Sequence, residues 1–176
     1  MRRMKNMNEK YSIREATPED AEEMIIFLNQ VGKESDNLMH GKEGFHVPVE
    51  GVRRRLAMLS DSDNSIVIVA VINGKIIARA DLDGYPNMRM HHRAKFSIAV
   101  KKDYWNKGVG TAMMNTILKS AKTMQLKSIE LEVVADNFAG IALYKKMGFE
   151  TIGTYKNFWY ANETYKDALI MQKCLD

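Results

Sequence analysis

The sequence predicts an α/β domain, a mixed central β-sheet of about seven strands with about four helices in the order β-α-α-β-β-β-α-β-α-β-β. Three observations predict it. Short apolar runs alternate with segments whose apolar residues recur at helical spacing. The run at 65–72 ends in Asn73-Gly74, the signal of a two-residue hairpin turn, so part of the sheet is antiparallel. Farther on, a strand, a glycine-bearing turn, an amphipathic helix and a strand form a β-α-β unit, whose strands run parallel.

Each element follows from its residues. Residues 11–16 form a short strand. Thr17-Pro18-Glu19-Asp20 then supplies an N-cap, a proline at the first helical position and an acid at the third. Ala21, Met24, Ile25, Leu28 and Val31 mark a first helix to about residue 32. Residues 34–47 are polar with two glycines, a loop; Val49, Val52, Leu56 and Leu59 mark a second helix with Arg53, Arg54 and Arg55 on its other faces. Strands follow at 65–72, 75–83 and 93–101. Met113, Met114, Ile117, Leu118, Ala121 and Met124 line one side of a third helix. A strand at 128–135, a helix at 137–147 stopped by Gly148, and two strands at 150–160 and 165–174 close the chain.

With 176 residues, 45% hydrophobic and 27% charged, the chain reads as one folded domain, residues 11–176. The net charge of +4 invites a nucleic-acid reading, but Arg2, Arg3, Lys5 and Lys10 against Glu9 carry nearly all of it. Residues 1–10 read as a flexible basic N-terminus and the rest as near neutral, so no nucleic-acid partner is expected. A single cysteine, Cys174, excludes an internal disulfide and points to a reducing compartment; it reads as a small buried residue. No apolar window reaches the ~20 residues of a membrane span, and Asn6-Met7-Asn8-Glu9 interrupts any signal-peptide core. The expectation is a cytoplasmic protein with no membrane association and no metal.

The sharpest local feature is Trp105-Asn106-Lys107-Gly108-Val109-Gly110-Thr111, between a strand and an amphipathic helix. Such a junction presents unpaired N–H groups at the positive end of a helix dipole and takes phosphate oxygens without a charged side chain. Gly108 and Gly110 would let the backbone approach a ligand closely; Lys107 or Thr111 could add a contact. Taken alone, a Gly-x-Gly pair is equally a tight turn. Mononucleotide and dinucleotide motifs both fail, for want of Gly-x-x-x-x-Gly-Lys-Ser/Thr and of a third glycine.

The stretch 98–114 nevertheless resembles motif A of the GNAT superfamily of N-acetyltransferases, an apolar strand, a basic link and Gln/Arg-x-x-Gly-x-Gly/Ala opening a helix. Asn137-Phe-Ala-Gly-Ile-Ala-Leu-Tyr-Lys-Lys-Met-Gly-Phe149 is similar to that superfamily's motif B, at the matching distance. The element order is also that of the GNAT fold. One position departs, since Trp105 stands where the motif has Gln or Arg; it reads as an anchor for the turn.

The resemblance implies an acetyl-CoA-dependent N-acetyltransferase working by direct attack of a primary amine in a ternary complex. Residues 106–111 would hold the pyrophosphate, and the main chain of Ile98, Ala99 and Val100 the pantetheine arm. One N–H there would face the thioester oxygen, an oxyanion donor of a kind worth about 2.7–4 kcal/mol elsewhere. Asn137, Ile141, Tyr144 and Gly148 fall at i, i+4, i+7 and i+11, one helix face, which would lie along the arm with Tyr144 as general acid. The plain alternative is a core Tyr144 and an N-capping Asn137. The base is open among Glu130, Glu132, His91, His92, Glu34, Asp36 and water.

In this fold the acceptor pocket would be built by the first two helices, their loop and the closing hairpin, here Glu34 to Met39 and Asn157 to Tyr160. Glu34 and Asp36 with Phe158, Trp159 and Tyr160 would suit a cationic amine, either a small molecule or a protein N-terminus. A homodimer is left open. The reading from another class is a silent acyl-CoA sensor or interaction module of the same fold.

Overall fold

The computed structural model describes residues 11–175; the basic stretch 1–10 lies outside them. β1 (Ser12–Glu15) leads through a 3-10 turn into α1 (Ala21–Glu34), and α2 (Val49–Leu59) follows a loop. Then come β2 (Ile66–Ile72), β3 (Lys75–Gly84), β4 (Arg93–Val100), α3 (Val109–Thr123), β5 (Ser128–Val134), α4 (Phe138–Lys146), β6 (Glu150–Ala161) and β7 (Thr164–Cys174). This is the order the sequence predicts.

Local signals act where they stand. Asn73 and Gly74 both take positive φ, 49° and 74°, as a two-residue hairpin turn requires. At the entry to α1 the Asp20 carboxylate accepts the Thr17 N–H at 2.8 Å and is clamped by Arg14 at 2.7 Å. Arg14 thereby holds Asp20 below the usual carboxylate range. α1 runs through Glu34, two residues beyond the end the apolar spacing predicts.

The seven strands form one sheet in the order β1-β2-β3-β4-β5-β7-β6. Every neighbouring pair is antiparallel except β4 and β5. β2 is apolar throughout because both faces are covered. Ile66, Ile68, Ala70 and Ile72 enter a core with α3 and α4; Val67 and Val69 enter a second core with α1 and α2. Phe27, Met113, Met114, Ile117 and Ile129 are fully enclosed, each worth roughly 1.5–3 kcal/mol by burial.

The parallel pair shapes the middle of the sheet. β4 and β5 are in register only at Arg93–Lys95 against Ser128–Glu130, and beyond that they diverge. A wedge therefore opens in mid-sheet, at the end of β4 that leads into α3. Among the described residues no helix is long and apolar enough to cross a membrane.

The loop after α1 doubles back over it. A β-carbon on Gly32 would lie 2.5 Å from the His40 carbonyl oxygen and 2.8 Å from that of Gly41, both main chain. Gly32→Ala is expected to displace the 35–47 loop and destabilise by about 1–3 kcal/mol, a loss of roughly 2–10 °C in thermal midpoint by calorimetry.

Candidate active site

The wedge exposes main chain whose orientation the ladder fixes. Lys101 N–H donates to Ile77 O at 2.9 Å and Tyr85 N–H to Arg93 O at 3.1 Å. In an antiparallel ladder this alternation turns the main-chain groups of Lys95, Ser97 and Ala99 towards β3, and those of Phe96, Ile98 and Val100 towards the gap. Ile98 and Val100 thus present N–H groups to the wedge. Ala99, expected to join them, has its main chain engaged with β3 opposite Arg79 and brings only a methyl group, on the α1 side.

The turn closing the wedge has its amides unpaired. The first bond of α3 runs from Ala112 N–H to Gly108 O at 3.0 Å, and none of the N–H groups of residues 106–111 donates to a described residue. Asn106 and Gly108 take φ of 58° and 79°, and α3 begins at Val109, so the amides of Asn106, Lys107, Gly108, Val109, Gly110 and Thr111 belong to a tight turn leading into the helix. Such a concavity, at a helix start without acidic side chains, is an anion site.

The two glycines differ. A β-carbon on Gly108 would meet no protein atom, whereas one on Gly110 would lie 3.2 Å from Leu143. Gly110 lets α3 approach α4, and the space over Gly108 is open. Trp105 anchors the turn, its indole N–H donating to Val100 O at 2.7 Å. Lys107 rests over the Tyr104 ring and Lys102 over that of Trp105, at 5.7 and 6.0 Å.

α4 borders the wedge on the apolar side. Asn137 caps it, accepting the Gly140 N–H at 3.1 Å; its side-chain amide donor has no partner among the described residues. The Tyr144 ring is core, edge-on to Phe96 at 6.2 Å and beside Phe149 at 6.1 Å. Its hydroxyl has no protein partner, yet among the described residues only Arg79 Nε and Arg93 Nε are wholly buried polar side-chain atoms lacking one. The hydroxyl therefore keeps an opening to solvent. Burial pushes this phenol up to about 12.

The opposite face of the sheet is polar, and its charges are paired. Lys95 meets Glu132 at 2.9 Å, and this bond raises Lys95. Glu130 accepts from Tyr85 and Arg93. Glu132 projects from β5 beyond the last β4 pairing, beside the wedge. His91 is held by Asn64 and Asp63, each at 3.1 Å, and with His92 it precedes β4. At that end β4 and β5 remain paired, so both histidines lie outside the wedge.

Glu34 also leaves the group of acceptor-side acids. Its carboxylate accepts the Lys102 N–H at 2.7 Å and the Gln30 amide at 2.9 Å, tying α1 to the end of β4. Asp36 lines an open cavity of about 460 Å³ together with Phe158, Trp159 and Tyr160. Trp159 donates to Asp36 O at 3.0 Å and Asn162 to its carboxylate at 2.9 Å, clasping the loop to the β6–β7 hairpin. Cys174, expected to be buried, is exposed at the end of β7.

A model of the acetyltransferase (GNAT) family matches residues 35–149. The chain belongs to that family. The L-amino acid N-acetyltransferase AaaT of Escherichia coli K12 is 34% identical over 116 residues, 65% of this chain and 72% of that one. The [ribosomal protein bS18]-alanine N-acetyltransferase of the same strain is 31% identical over 99 residues, 56% of this chain and 64% of its own length. A GNAT acetyltransferase from Streptococcus pneumoniae superposes with a TM-score of 0.91 at 30% identity, covering 95% of this chain and 100% of that one. A phosphinothricin acetyltransferase of Sinorhizobium meliloti, solved with acetyl-CoA, shares the fold (TM-score 0.80, 17% identity, covering 94% and 88%). This GNAT chain is an acetyltransferase.

Sequence reasoning misses one cluster. Arg79 donates to Asp81 at 2.6 Å and Ser97 Oγ to Asp81 at 3.0 Å, on the polar face next to Ala99. The Arg-Ala-Asp alternation in β3 was its readable signal.

Because Tyr144 titrates near 12 when folded and near 10 when unfolded, the native state holds more protons between those values. Its contribution is complete below pH 10 and lost as pH rises towards 12, about 2–3 kcal/mol in all. Urea titrations across that range should show stability falling more steeply for the native chain than for Tyr144→Phe.

Proposed function

We propose that this chain transfers the acetyl group of acetyl-CoA directly to a primary amine, of a small molecule or a protein N-terminus. The observation that carries the reading is the set of unpaired amides at residues 106–111, standing where β4 and β5 part. The donor fits this setting. Open space over Gly108 accommodates phosphate oxygens, and the unbonded N–H groups of Ile98 and Val100 suit an extended amide-bearing arm. Acetyl-CoA supplies an activated thioester.

The residues then divide the work. The amides of 106–111 bind the pyrophosphate by helix-end electrostatics. Ile98 or Val100 N–H stabilises charge on the carbonyl oxygen, and the Asn137 side-chain amide orients the arm. As the amine nitrogen attacks and the C–S bond breaks, Tyr144 donates its proton to the sulfur. A phenol pushed to about 12 is a weaker acid than a thiol, of reference value about 8.5. Stepwise transfer is therefore uphill by roughly 4–5 kcal/mol, and donation is concerted with bond cleavage. Glu132 beside the wedge, Asp36 in the cavity, or water takes the ammonium proton.

Thiol release from acetyl-CoA across a panel of amines tests the reading. Tight coenzyme binding with no release for any amine would instead favour a sensor. Tyr144→Phe is expected to lower kcat about 100-fold, the lower end of general-acid effects given so weak an acid, with coenzyme affinity within about twofold. Equal loss of both removes Tyr144 from the acid role.

A further inference from the structure

Arg79 lies on β3 directly across from Ala99 of β4, on the polar face of the sheet and beside the wedge. Its guanidinium is incompletely used. One nitrogen, Nη2, donates to Asp81 at 2.6 Å; Nε is wholly buried without a partner, and Nη1 has no hydrogen bond to a described residue. The side chain is one-fifth exposed, so Nη1 reaches open space.

Asp81, the partner of this cation, is itself enclosed: it is 3% exposed and is shared with Ser97 Oγ. Burial raises it, against its own pairing with Arg79. His40, on the loop that crosses Gly32, is lowered first by burial and then by Arg79, against the opposing pull of Glu43. The Arg79 charge thus reaches His40 on the loop as the second cause of its shift. A planar guanidinium with unfilled donors is matched to a carboxylate.

We propose that Arg79 binds a carboxylate carried by the acceptor, so that the preferred acceptor is a free amino acid and not a protein N-terminus. The role of the amine rests on the acetyl-transfer reading; carboxylate binding does not. One carbon separates amine from carboxylate in an α-amino acid. A carboxylate seated on Arg79 thus keeps the amine beside Ala99, where the strand turns Ile98 and Val100 towards the wedge. A peptide N-terminus has a neutral amide at that place and leaves the guanidinium donors unfilled.

The test compares L-amino acids with their carboxamides and with short peptides, by calorimetric binding to the protein saturated with coenzyme A and by turnover with acetyl-CoA. Free acids are expected to bind about 10- to 100-fold tighter than carboxamides, as for hydrogen bonds to a charged group. Arg79→Met should raise KM for the acids by that factor, leave kcat within about threefold, and leave the carboxamides unaffected. Should that variant fail to fold over the orphaned Asp81, Arg79→Lys keeps the cation without the planar fork and should show the same acid-specific loss. Carboxamides or peptides binding as well as free acids overturns the proposal. Carboxylate-dependent binding without thiol release upholds the Arg79 site while refuting acetyl transfer.

Discussion

The separation of β4 from β5 is the constraint on which the rest of the site depends. Three residues of each strand pair and the others do not, which leaves the N–H and C=O groups of a central sheet strand without partners. Such groups are costly to bury unpaired, so an opening of this kind survives only where water or a ligand reaches it. The turn after β4 compounds the effect, because six consecutive amides there are unpaired as well. Strand edge, turn and helix dipole converge on one cleft. Trp105, bonded to Val100 O, holds the turn at the end of the open edge.

The two faces of the sheet beside that cleft differ in character. On the α3–α4 face, apolar packing encloses the Tyr144 ring between Phe96 and Phe149, and its hydroxyl is not wholly buried. On the other face stand three ion pairs, Arg79–Asp81, Lys95–Glu132 and Arg93–Glu130, with Ser97 bonded to Asp81. A group buried on the first face is kept protonated. The second face carries paired side chains of both signs beside the same cleft.

Much of this was legible in the residues because it is local. Asn73-Gly74 needs only its own φ preference to make a turn, and the turn before α3 needs only glycine and a helix start. The divergence of β4 and β5 is different. It depends on a register between strands more than 30 positions apart, and no pattern within either strand encodes where pairing stops. For the same reason Ala99 could not be distinguished from Ile98 and Val100, since alternation fixes opposite directions for neighbours but not which neighbour faces the gap. That Gly110 also makes room for Leu143 was not readable, because that neighbour belongs to another helix. Glu34 read as an acceptor acid because its partner, Lys102, is far along the chain. The Arg79–Asp81 pair was visible as a polar alternation, but its meaning required knowing that β4 lies alongside.

Donor and acceptor sides also rest on different kinds of chemistry. The phosphate turn and the β4 edge are main chain, available to any sequence that supplies two glycines and an apolar strand. The proposed acceptor side is instead made of side chains: its open cavity is lined by the 35–47 loop and the β6–β7 hairpin, clasped through Asp36 and Trp159. Main-chain recognition tolerates sequence change; side-chain recognition does not. Relatives near 30% identity can therefore share the fold and the motif while their names carry different acceptors, an amino acid for one and a ribosomal protein's alanine for another. On the proposed reading, acceptor choice turns on a few positions that the fold leaves unconstrained, and Arg79 has hydrogen-bonding capacity that the described residues do not fill.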